Sequence, residues 1–258
     1  MRARIRLLTI PVAVLLGSAA VLARAEDKTT DLKAFDKLSI EGCFDTRLEP
    51  GTPARAVVSA TGEQQQKIRV EQDGKVVRVR FAEKTDYDLC RAGPIRVSIT
   101  ASFAATDSVE LDLGGSGSLD ANVPRVAKLE GAVAGSGRLA PRGAAADCKF
   151  TIAGSGSADA SAFACDSSAR VNVSGSGSAK LSGKTTTCDF VINGSGGVAA
   201  DGVDCDSADV TINGSGSVGL AKPASLKAQI NGSGNVKYHG EPTLRGVAVN
   251  GSGKLIKE

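Results

Sequence analysis

The triplet Gly-Ser-Gly occurs eight times between residues 115 and 253, with its serine at 116, 136, 155, 176, 195, 215, 233 and 252. Successive serines are 18 to 21 residues apart. A flexible linker has no reason to keep a period, so the triplet has to be read together with its flanks. The residue two before each triplet is Leu113, Val133, Ile152, Val173, Ile192, Ile212, Ile230 and Val249, all apolar and mostly β-branched. The residue two after is Leu119, Leu139, Ala158, Ala179, Val198, Val218, Val236 and Leu255. Polar or small residues mostly fill the places between. This is period-two alternation on both sides of a fixed corner, and it predicts strand, corner, strand and a looser return in every unit.

Glycine supplies the positive φ that such a corner needs, and the serine hydroxyl is expected to tie to nearby backbone. Stacked units then make an all-β parallel β-helix, or β-solenoid, of about eight rungs, each burying its apolar face against its neighbours. At about 3.3 Å per residue and about 4.8 Å between stacked strands, eight rungs of roughly 19 residues make a rod on the order of 38 Å long. Composition fits a thin core, with no Trp, two Tyr and seven Phe against 31 Gly. Leucine-rich repeats share the period but need an L-x-x-L-x-L signature that is missing. The calcium-binding nonapeptide has the wrong period, and its nearest match puts Leu119 where a carboxylate belongs.

The residue before each of the last four triplets is Asn193, Asn213, Asn231 or Asn250. Identical amides at one rung position are expected to bond along the stack as a structural ladder. The six cysteines, with no C-x-x-C, predict disulfides rather than a metal or redox site. Of the three ways to pair Cys148, Cys165, Cys188 and Cys205, only Cys148–Cys165 with Cys188–Cys205 joins adjacent rungs twice. The others span about 9.6 Å or more, too far for a disulfide. Cys43 and Cys90 are left to each other.

Residues 1–25 read as a secretory signal: Arg2, Arg4 and Arg6, an apolar run from Leu7 to Leu22, then Ala23-Arg24-Ala25. Removing them takes four of the 31 basic residues and none of the 28 acids, so the net charge falls from +3 to about −1. No basic patch then argues for nucleic acid, and no later segment reads as transmembrane. Residues 26–107 lack the triplet and are expected to be a β-rich cap and lead-in, with a hairpin at Gln72-Asp73-Gly74-Lys75 and a helical turn at 62–67. Residues 108–258 are the repeat solenoid.

No catalytic constellation is legible. His239, the single histidine, reads as a surface residue, and no G-x-S-x-G elbow exists. Asp166 and Asp206, in the repeated C-D-S, stand two rungs apart and read as a solvated loop or at most an acidic stripe. Phe150 and Phe190 read as core. No cofactor or metal is expected. The I-N-G-S-G units at Ile192, Ile212 and Ile230, with the lead-in L-S-I-E-G-C-F-D-T-R-L-E-P-G from Leu38, resemble the autotransporter-adhesin head GIN domain family. The resemblance implies an exported bacterial β-solenoid with an adhesin label and no catalytic residues.

The expectation is an exported, non-enzymatic envelope protein in the periplasm or at the cell surface, an adhesin-like module binding an envelope protein or surface ligand. The alternative is a periplasmic structural or interaction domain, self-associating through the solenoid ends. A polysaccharide-active enzyme rests on fold analogy alone.

Overall fold

The computed structural model describes residues 25–103 and 106–258. Of the expected export signal only Ala25 falls within them; residues 1–24 lie outside. The chain opens with β1 (Glu26–Asp31), β2 (Lys37–Gly42), β3 (Asp45–Pro50) and β4 (Arg55–Ala60). Helix α1 (Gly62–Lys67) and the hairpin strands β5 (Ile68–Asp73) and β6 (Val76–Phe81) follow. A 3-10 helix (Lys84–Arg91) then leads to β7 (Arg96–Ala101). The repeats form β8 (Ser108–Gly115), β9 (Ser118–Gly135), β10 (Arg138–Gly154), β11 (Ser157–Ala160), β12 (Ala162–Gly175) and β13 (Ser178–Gly194). They continue with β14 (Gly197–Gly214), β15 (Ser217–Leu220), β16 (Ser225–Gly232), β17 (Asn235–Tyr238), β18 (Thr243–Gly251) and β19 (Lys254–Lys257).

The repeats stack in parallel with corner on corner: Gly154 pairs with Gly135 and Gly175, and Gly214 with Gly194 and Gly232. The fold is an all-β solenoid of about eight turns. Inward residues form unbroken columns. One runs Leu113, Val133, Ile152, Val173, Ile192, Ile212, Ile230, and every member is buried. Phe150 and Phe190 are buried in the neighbouring column. The corners explain why nothing but glycine serves. At Gly194 φ is +134°, and an added Cβ would lie 2.4 Å from the carbonyl oxygen of Gly175 one rung below. The rungs approach there backbone to backbone.

The N-terminal segment is more than a lid. β2 lies parallel between β6 and β8, and β3 lies parallel between β7 and β9. Gly42 stands in register with Gly115. The corner Gly42-Cys43-Phe44 therefore does the work of a Gly-Ser-Gly corner, and the sequence boundary at 107 falls after a rung that already belongs to the stack. Beyond it β4 runs antiparallel to β1 and β7, and β5 antiparallel to β6. α1 starts with a capping box in which Thr61 accepts from Gln64 N–H and Gln64 Oε1 accepts from Thr61 N–H. Gln64 Nε2 donates to the carbonyls of Leu89 and Gly93, tying α1 to the 3-10 helix.

Three disulfides are present. Cys43–Cys90 fastens the 3-10 helix to the first corner, with Cα atoms 6.0 Å apart. Cys148–Cys165 and Cys188–Cys205 each join adjacent rungs, with Cα separations of 5.7 and 6.1 Å. These four cysteines are all buried, so the two links run through the core rather than along the surface. Ala169 and Ala208 stand in register beside Cys188, so small and sulfur-bearing residues alternate along that column.

Candidate binding surface

The corners place one exposed serine on every rung of the repeat: Ser116, Ser136, Ser155, Ser176, Ser195, Ser215, Ser233 and Ser252 are all exposed. Their backbone N–H groups bond down the stack, as in Ser155 N–H to Gly135 O and Ser195 N–H to Gly175 O, both 2.9 Å. The expected hydroxyl-to-backbone tie is not what holds the corner. Its geometry is fixed by these inter-rung bonds, and the corner hydroxyls have no hydrogen-bond partner among the described residues. They form a straight row with a spacing of about 4.8 Å.

Beside that row runs the asparagine column. Asn213 Nδ2 donates to Asn193 Oδ1 at 2.9 Å, Asn231 to Asn213 at 2.8 Å, and Asn250 to Asn231 at 2.9 Å. Each amide in this chain is used by the next, which leaves the serines as the freer polar groups on this edge.

Of the recesses in the outer faces, two lie over the stacked rungs of the repeat. The first, a cavity of about 510 Å³, has a floor of Gly114, Gly115, Ala132 and Ala134, with Glu41, Asp112 and Tyr87 around it. Tyr87 is held edge-on by Phe81, which packs against Phe44. Asp112 is bonded to Lys37 at 2.8 Å, and the Asp112 and Glu110 carboxylates together raise the Lys37 pKa. The second, about 560 Å³, lies over Gly197, Ala199, Ser217 and Gly219, between Lys180 and Lys237. A methyl at Gly219 would sit 2.4 Å from Asp201 Oδ1, so the absence of a side chain there gives the carboxylate its place. Hydrogen bonding from Lys237 holds the Glu258 carboxyl below its ordinary pKa and raises that of the lysine.

Several outer-face acids are paired. Arg125 reaches Asp166, and Arg245 bonds Asp209. Arg138 meets Asp159 at 2.6 Å. An acidic stripe through Asp166 and Asp206 is thus interrupted at Asp166 by a guanidinium. His239 is partly exposed, and its Nδ1 lies 3.2 Å from the carbonyl oxygen of Glu258. Gly214-Ser215-Gly216-Ser217-Val218-Gly219 spells G-x-G-x-x-G, but it leads from β14 into β15 rather than into a helix, so no helix N-terminus backs a phosphate cradle. Among the described residues no helix is long and apolar enough to cross a membrane.

No curated protein matches the sequence. Solved structures share its fold. A "putative lipid binding protein" from Parabacteroides distasonis superposes with a TM-score of 0.78 at 20% identity, covering 92% of this chain and 98% of that one. A "putative adhesin" from Parabacteroides merdae gives 0.76 at 16% identity, covering 92% and 97%. Another "putative adhesin", from Bacteroides fragilis, gives 0.62 at 15% identity, covering 91% and 97%. The family resemblance carried by the I-N-G-S-G units extends over most of the chain: with its profile matching residues 34–179 and 167–242, the chain belongs to the family described as "Putative auto-transporter adhesin, head GIN domain".

Proposed function

We propose that the chain is an exported, non-enzymatic binding module of the cell envelope, adhesin-like in that it uses a long regular surface rather than a pocket. The row of eight exposed serine hydroxyls, without partners among the described residues, carries this reading, because it offers a repeating set of donors and acceptors to an extended ligand. Three disulfides fit an oxidising compartment, and the sequence reads as beginning with an export signal. On this reading residues 26–107 form the cap and first rung, and 108–258 carry the binding surface.

Two experiments test it. Protease treatment of intact against outer-membrane-permeabilised cells separates a surface rod from a periplasmic one; protection until permeabilisation removes adhesion from the cell surface. Binding of the oxidised chain to cell-wall sacculi, acidic polysaccharides and immobilised matrix protein is then compared with that of a Ser155→Lys, Ser176→Lys, Ser195→Lys variant. Retained binding by a folded variant rules out the serine row.

A further inference from the structure

The inward columns do not end as they begin. In β16, Leu226, Ala228 and Ile230 are 0%, 1% and 0% exposed. One rung on and in register, Leu244, Val247 and Val249 of β18 are 51%, 44% and 40% exposed. These are three of the four large apolar side chains exposed among the described residues; the fourth, Tyr87, belongs to the other end. Among the described residues β18 pairs only with β16, and β19 only with β17. The far-side backbone groups of this rung thus face outward, next to core side chains that have no cover. Such an edge is a template for pairing.

We propose that this face is where two copies of the chain meet, tail to tail about a two-fold axis. At the opposite end β1 and β5 are the outermost strands, each paired on one side, and their exposed residues are all polar, so a head-to-tail stack finds no bare apolar rung to land on. The matching surface is that of a second copy. A two-fold axis sets the edge strands antiparallel and brings Leu244, Val247 and Val249 of each copy against the apolar face of the other.

Most of the charge on this rung is already paired, Lys254 of β19 being the cation without an ion-pair partner among the described residues. A register shift after Leu244 accompanies an Arg245 that bonds Asp209 and Ser207, while Lys257 pairs with Glu241 and Lys237 with Glu258. Residues 243–257, at roughly 30 Å² each, bury on the order of 1,000 Å² over both copies, the floor for a specific interface. A reversible dimer dissociating in the micromolar range follows, not an obligate one.

Light scattering on the full oxidised chain, from about 1 µM to about 1 mM, should show the mass rise to two chains and stop there. Small-angle scattering over the same series should show the maximum dimension grow about two-fold, because end-to-end contact doubles a rod's length. Val247→Lys and Val249→Lys should weaken dimerisation at least about 10-fold. The scattering of the unaltered chain stands even if a variant frays its last rung. A monomer throughout, a mass that grows past two chains, or a doubled mass without added length would each overturn the proposal.

Discussion

The two ends of the rod carry the same kind of inward column and treat it in opposite ways. At the N-terminal end Leu38 and Ile40 are fully buried because β6 lays Val77 and Val79 over them, and beyond it the hairpin strand β5 exposes only polar residues. At the C-terminal end the equivalent positions of β18 are open. A repeat specifies how one rung sits on the next and says nothing about how the stack stops. Termination takes sequence that breaks the repeat, and only one end shows it in the described residues.

The largest expected effect comes from loosening the closed end. Cys43 and Cys90 close a loop with a sequence separation of 47. Replacing both with serine should cost about 4 kcal/mol by loop entropy, against about 3 kcal/mol for the 17-residue separation of Cys148–Cys165. Chemical denaturation of the two double variants reads the difference. A Cys43/Cys90 variant as stable as the parent would mean that the cap does not hold the first rung in place.

Next come matched truncations. Leu38→Ala, at a fully buried site, should lose about 3 kcal/mol, while Leu244→Ala should lose under about 1 kcal/mol. At the concentrations where two copies pair, the gap should narrow, because Leu244 is then covered. The corners allow the same comparison. Gly194→Ala combines φ +134° with a 2.4 Å approach to Gly175 O and should lower stability by about 2 kcal/mol. Gly251→Ala meets the same geometry, φ +131° and 2.3 Å to Gly232 O, yet should mainly fray the last rung. Hydrogen exchange would show that loss confined to β18 and β19; a matching drop in global stability would mean that the solenoid unfolds as one unit.

These contrasts also show what the sequence could and could not reveal. The eight corners, the inward columns and the rung-to-rung cysteine spacing were legible because each is a one-dimensional period that the fold turns into a straight line. The rung at Gly42-Cys43-Phe44 was hidden because its corner lacks the triplet. Phe44 stands where Gly117 stands one rung on, and it fits because the ring of Phe81, not another corner, packs against it. The Ile-Glu-Gly lead-in was the available signal. The Tyr87 recess was not legible, since it depends on a 3-10 helix folding back over β2, β8 and β9. The freedom of the serine hydroxyls was misread because local turn chemistry suggested a side-chain tie, whereas bonds to the previous rung already satisfy the backbone.

The smallest effect tests whether an outer-face ion pair counts more within the stack than at its open end. The Ser161 hydroxyl, with its backbone N–H and Arg138, holds the Asp159 carboxyl below its ordinary value. A carboxyl whose pKa is lower folded than unfolded contributes stability above the unfolded value, near 4, and loses it as pH falls through the folded one. Asp159→Ala should therefore cost about 0.5 kcal/mol at neutral pH, and the difference should vanish in strong acid. The Glu258 carboxyl is shifted in the same direction by Lys237, but on the last rung and at the surface. Its pairing stabilises a segment that opens before the rod does. Glu258→Gln should leave the melting midpoint unchanged at every pH while speeding amide exchange in β19. A midpoint that moved with Glu258 would tie the open end to the global transition, and the difference between the ends would then lie in burial alone.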